Sequence, residues 1–149
     1  VTALVTLHAQ IRALLVGLPA VASIVGAEPA ARIRCDYFQA GDGGPSTPAI
    51  LVEIDSQAEA NDLAGVSGGV IGQFTLTCRA ATLEAAAELA EAIRTNGTDP
   101  GTGLAGYSSA SLDLVLESSV DTWTAKEDAS EDGWFDTVMS WVNISAETI

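Results

Sequence analysis

The run VIGQFTLTCRAATLEAAAELAEAIRTNG, residues 70–97, constrains the fold most. Phe74, Leu76 and Cys78 alternate with Gln73, Thr75, Thr77 and Arg79, so an extended strand here has one apolar and one polar face. A helix follows directly. Thr82 offers a capping hydroxyl, Glu84 lies in the first turn, Arg94 in the last, and Asn96-Gly97 supplies a left-handed stop. Leu83, Ala86, Ala87, Ala90 and Ile93 predict one apolar face, and its alanines are small enough to let the helix lie close against a sheet.

Around this unit the chain alternates between periodic and punctuated segments. At the start, Leu4, Leu7, Ile11, Leu14 and Leu15 recur at helical spacing, with Thr2 as N-cap and Gly17 and Pro19 as the stop. Residues 20–31 allow a short extra turn of helix. The stretch RIRCDYFQAGDGGPSTPAILVEIDS, residues 32–56, reads as two strands, Ile33/Cys35/Tyr37 and Ile50/Val52/Ile54, split by a loop too long for a tight hairpin. SQAEANDLAGVSGG, residues 56–69, reads as a polar, glycine-rich connection. GTDPGTGLAGY after the helix is another glycine-rich loop, without the Lys-Ser/Thr ending of a phosphate loop. Leu112, Leu114 and Leu116 predict a strand, residues 122–133 break it, and 134–145 resume as a last strand. On that strand Phe135, Thr137, Met139, Trp141 and Asn143 share a face, opposite Asp136, Val138, Ser140 and Val142.

The resulting order is α-β-β-β-α-β-β. It predicts an α+β fold: a mostly antiparallel sheet of about five strands with two main helices packed on one face. No linker or repeat divides the 149 residues, so a single domain, 1–149, is expected. No apolar run approaches the roughly 20 residues of a membrane span, and His8, Gln10 and Arg12 interrupt the opening apolar segment, unlike a signal peptide.

Charge excludes one large class of partner. Twenty acids face six bases, a net charge of -14, and from Gly97 onward ten acids accompany the single base Lys126. Such a surface repels phosphate, which argues against sequence-specific nucleic-acid binding. It suits either an ordinary solvated acidic protein or a surface that DNA must pass without sticking.

No catalytic constellation is visible. The lone histidine, His8, lies beside an apolar stripe and reads as a partly buried core residue. Cys35 and Cys78 have no metal or redox spacing and read as buried free thiols. Glu53 and Asp55 share a strand face and point to solvent or to a neighbour. Glu127, Asp128, Glu131 and Asp132 lack the regular oxygen alternation of a calcium loop. Neither a catalytic residue, a metal site nor a cofactor is expected, and the chain reads as no enzyme. Trp141 reads as core. Trp123 and Trp134 flank the acidic segment, where core packing and an interface anchor are both open.

Residues 32–56, together with AGVSGGVIGQFTLTCRAATLEAAAELAEAIRTN and the amphipathic N-terminal helix, resemble the tail-completion (tail-terminator) proteins of long-tailed phages with non-contractile tails. The resemblance covers residues 3–96, with support from the last strand. It implies a virion protein assembled in the host cytoplasm: a ring, generally hexameric, at the head-proximal end of the tail tube. Such a ring ends tube polymerisation and docks on head-tail connector proteins while DNA passes through without specific binding. Its partners are further copies of itself, the tail tube protein and the connector, with no membrane. Under this reading Gly41, Asp42, Pro45, Pro48, Trp123 and Trp134 are expected at a subunit or partner interface. Glu127, Asp128, Glu131 and Asp132 are expected to face the channel. Related readings are a neck connector or a tube subunit. A reading of another class is a small acidic binding module, calcium-dependent through residues 127–132.

Overall fold

In the computed structural model of the chain, the 70–97 run folds as its pattern predicts. The structure describes residues 3–28, 30–35, 37–44, 46–62, 65–97, 103–107, 114–124 and 134–145, and of these, side chains are described outside 3–7, 56–71, 123–124 and 144–145. Three helices, α1 (Ala3–Val16), α2 (Pro19–Val25) and α3 (Leu83–Thr95), accompany five strands: β1 (Ile33–Arg34), β2 (Ala49–Asp62), β3 (Gly65–Ala80), β4 (Leu114–Thr124) and β5 (Trp134–Ser145). The strands form one sheet in the order β1-β2-β3-β5-β4. Every neighbouring pair is antiparallel except β1 with β2, which is parallel. This is the expected mostly antiparallel α+β fold. Among the described residues no single helix is long and apolar enough to cross a membrane.

Register decides which side chains meet. Ile50 pairs with Cys78, Val52 with Leu76 and Ile54 with Phe74, while Phe74 in turn pairs with Trp141 and Leu76 with Met139. One sheet face is therefore apolar across β2, β3 and β5, and the helices cover it. α3 packs on β5 and β3, α1 on β2, and α2 against both other helices. Trp141, Phe74, Ile11, Leu15, Ile50, Leu76, Leu89, Ile93, Leu104, Leu114 and Met139 are fully buried. Full burial of each large apolar side chain contributes about 1.5–3 kcal/mol relative to exposure. The rings of Phe74 and Trp141 stack across the strands, 6.2 Å apart and within 3° of parallel.

Helix ends are closed by neighbours as well as by local caps. The Thr82 hydroxyl accepts from the Ala85 N–H at 3.1 Å. Asn96 adopts the left-handed conformation (φ 54°) at the end of α3, and its Oδ1 accepts the Ala20 N–H at 3.0 Å. That contact serves α2, whose own N-cap, Leu18, has no side chain to offer. Leu104 and Ala105 donate to the Ile93 and Arg94 carbonyls. Gly103 permits this approach, because a Cβ there would sit 2.5 Å from both carbonyl oxygens.

Several expectations are corrected. The described part of the connection expected at 56–69 is strand: β2 and β3 pair as far as Asp62 with Gly65, with register shifts between Ile54 and Ser56 and between Glu59 and Asn61. Its glycines and polar residues obscured a hairpin held by backbone pairing. The first strand is only Ile33–Arg34; Cys35 is half-buried and Tyr37 is 71% exposed. Residues 19–25 form a helix of their own, and β4 continues to Thr124, so Trp123 lies on a strand. On α3 the covered face is Ala86, Leu89, Ala90, Ala92 and Ile93, whereas Leu83 and Ala87 are exposed. Thr2, Leu112 and the side chains of Leu4 and Leu7 fall outside what the structure describes.

Candidate functional site

The chain between the parallel strands β1 and β2 does not pass on the helix side. It folds against the opposite face of the sheet, and three arginines hold it there. At its base, Arg34 donates from Nε and Nη2 to the two carboxylate oxygens of Asp42 at 3.0 and 3.1 Å. The Gln39 N–H adds a third bond to the same carboxylate at 2.8 Å. Burial alone would raise the Asp42 pKa, but the Arg34 guanidinium, the Gln39 N–H and the nearby charge of Arg32 outweigh it and hold the carboxyl below its ordinary value. Arg34 is shifted upward, chiefly by the same hydrogen bonds. Arg32 braces the other side, donating to the Pro48 and Ile24 carbonyls at 2.9 Å each.

Above this base the loop turns tightly. The Gly43 N–H donates to the Thr47 carbonyl at 2.8 Å, and the Thr47 hydroxyl donates to the Gly41 carbonyl at 2.6 Å. Gly43 (φ 86°) lies directly on the Arg79 side chain, and a Cβ there would overlap its Cγ. Arg79 projects from the outer face of β3. Its guanidinium carbon sits 4.1 Å from the Phe38 ring centroid and 4.3 Å from that of Trp134. Nε and Nη2 each donate to Asp136 at 2.9 Å. One cation thus joins the loop, β3 and β5 through two ring faces and a bidentate ion pair.

An open cavity of ≈ 300 Å³ lies beside the loop, at the β1 edge, lined by Arg12, Ile33, Arg34, Cys35, Tyr37 and Gln39. Arg12 is paired with Glu28 at 2.6 Å, with both side chains partly exposed. The outer face beyond the loop carries exposed Glu53, Asp55 and Gln73, as expected, and Asp55 accepts from the Thr75 hydroxyl at 2.6 Å.

The expected interface residues are thus distributed unevenly. Gly41, Asp42 and Pro48 belong to the loop, and Asp42 faces inward to Arg34. Trp134 begins β5 and meets Arg79 at the loop's other end. Trp123 pairs by backbone with Phe135, but its side chain, like Pro45, Glu127, Asp128, Glu131 and Asp132, lies outside what the structure describes. Asp136 lies on the face opposite Met139 and Trp141, as the alternation of β5 predicts, and is only 7% exposed there, where Arg79 pairs with it. The alternation showed Arg79 and Asp136 as outward residues. Only the β3–β5 register makes them partners, and Phe38 gave no signal at all.

Cys78 is fully buried, and burial, followed by the nearby Asp136 charge, pushes its thiol pKa up, so it stays protonated. Among the described residues no group of three His, Cys, Asp or Glu side chains could hold a metal ion. What the arrangement can do is fix the shape of a surface.

No family model matches the chain, and no curated protein matches it by sequence. A solved structure does match by fold: a chain of "Virion of native gene transfer agent (GTA) particle", with TM-score 0.52 and 16% identity, over 91% of this chain and 92% of that one.

Proposed function

We propose that the chain is a virion structural protein that forms a hexameric ring at the head-proximal end of a phage tail tube. There it ends tube polymerisation and joins the tail to the head connector while DNA passes through. The observation that carries the virion assignment is the fold shared with a virion chain along nearly the whole of both proteins. The position at the tail's end rests on the resemblance of residues 3–96 to tail-completion proteins. Charge fits the role, since a net of -14 gives translocating phosphate little to adhere to.

In this reading the loop from Gln39 to Pro48 is an assembly arm. Arg34, Asp42 and Arg79 fix its form from within, so Gly41, Pro45 and Pro48 meet a neighbouring subunit or the tube at little ordering cost. Trp123 and Trp134 extend the same contact, and Glu127, Asp128, Glu131 and Asp132 face the channel.

Native mass spectrometry and negative-stain imaging of the purified protein, alone and mixed with tail tubes, test the assignment. A ring of defined mass that caps tube ends is the expected outcome. Long self-assembled tubes would identify a tube subunit, and binding to connector rings without tube capping would identify a neck protein. A monomer that never visits tube ends would remove the assignment.

A further inference from the structure

The outer face of the sheet breaks the alternation that a solvated face normally shows. The helices lie over the face that carries Met139 and Trp141, and Val138 and Val142 take the other. Register sets a valine of β4 beside each of these: Val120 pairs with Val138 and Val115 with Val142. Val120 and Val115 are 55% and 48% exposed, two of the four large hydrophobic side chains exposed among the described residues. Leu51 extends the Val120–Val138 row across the sheet through Thr77. An antiparallel sheet with one face in water turns apolar residues inward and polar ones outward. Strand propensity does not explain the exception. The same face uses Thr75, Thr77 and Thr122, which keep valine's branched shape and add a hydroxyl. The loop from Gln39 to Pro48 closes this face at Arg79 and leaves Val115 and Val120 open.

The charge around these valines has one sign. Glu53 and Asp55 flank them on β2, and Glu117 flanks them at the register shift of β4; all three are exposed. Among the described residues no cation pairs with any of them. The ion pairs join Arg12 to Glu28, Arg34 to Asp42, Arg79 to Asp136 and Arg94 to Glu91. Arg32, the remaining arginine, is held by the Pro48 and Ile24 carbonyls. A second copy laid on this face would therefore bring more carboxylate and no unengaged arginine to meet it. The face selects a chain of different composition. Its apolar centre and charged rim are the anatomy of a protein interface.

We propose that the outer face of β4 and β5 is a docking surface for a cationic, amphipathic segment of a different protein. Apolar side chains of that segment lie on the Val115–Val142 and Val120–Val138 pairs, and its Lys or Arg residues meet Glu53, Asp55 and Glu117. The inference goes beyond the ring assignment and does not depend on it, since contacts between copies would use other surfaces.

The probe is a fluorescein-labelled peptide of alternating Lys and Val, added to the full chain and followed by fluorescence anisotropy. Saturable binding is expected, and it should weaken about tenfold when Glu replaces Lys in the peptide or Ser replaces Val. Val115→Thr with Val120→Thr, and separately Glu53→Gln with Asp55→Asn, should each weaken binding about tenfold. Thermal melts of both variants should match wild type, since all four side chains are exposed and keep their shape. A p-benzoylphenylalanine at the peptide's centre should photo-crosslink within residues 114–124 or 134–145. No saturable binding, or crosslinks elsewhere, overturns the proposal. Binding that responds to the charges and ignores the valines marks general attraction to a chain of net charge -14 and overturns it as well. So does self-association, measured by gel filtration, that the two valine substitutions abolish, because a second copy would then be the occupant.

Discussion

Arg79 and Asp136 stand directly opposite each other on β3 and β5, and two parallel 2.9 Å hydrogen bonds join them. Both side chains are mostly covered, at 18% and 10% exposure. The guanidinium is also enclosed by Phe38 and Trp134, so its charge has little access to water once the carboxylate is removed.

Asp136→Ala should therefore destabilise the protein by about 3 kcal/mol, the cost of leaving a largely buried charge unpaired. Replacing both partners, as Arg79→Met with Asp136→Leu, should cost much less. Urea denaturation of the two singles and the double measures the difference. Additive losses would show that the residues do not act as a pair.

Gly43 and Gly41 both have positive φ, at 86° and 90°, but only Gly43 is pressed against Arg79. Gly41→Ala meets nothing within 4 Å and should cost about 1 kcal/mol of backbone strain. Gly43→Ala adds a steric clash and should cost roughly 2–3 kcal/mol. Equal losses in the two variants would show that the loop is not seated on Arg79.

Asp42 makes loop stability depend on acid. Its folded pKa lies below the unfolded value of about 3.9. Its contribution is thus complete above that value and is lost as pH falls through the folded one. The stability gap between wild type and Asp42→Asn should be widest near neutrality and close below about pH 4. A gap independent of pH would mean that the Arg34–Asp42 charges are not coupled to folding.

Thr82→Ala removes the hydroxyl that accepts the Ala85 N–H and should cost about 1 kcal/mol, while Thr82→Ser should cost little. Thermal melts suffice to compare them.

If Glu127, Asp128, Glu131 and Asp132 face the channel of the proposed ring, reversing them to Lys should leave its assembly intact and slow DNA passage, since four cations there would hold phosphate. Unchanged infectivity would move these acids to the outer surface.

How much of this was readable in the chain depended on whether the information was local. β3, α3 and β5 were evident because periodicity and caps are written in consecutive residues, and Trp141 was identified as core on that basis. The hairpin between β2 and β3 was not, because Ser56–Gly69 lacks apolar alternation and is held by backbone pairing that any sequence can make. Asp42 and Arg34 were both visible, eight residues apart, yet nothing local says that they form a pair. Arg79 and Asp136 are 57 residues apart, and only the register brings them together. Leu83 misleads for a related reason: its spacing matches the helix's apolar stripe, yet it is exposed in the fold.

The position of β5 has a kinetic meaning. It is the last strand in the sequence, yet it lies inside the sheet between β3 and β4 and brings Met139 and Trp141 into the core. During synthesis β3 and β4 both wait with an open side until β5 leaves the ribosome, and Arg79 waits for its carboxylate. The sheet can be completed only by a chain translated through residue 145, so a prematurely terminated copy presents an unfinished surface.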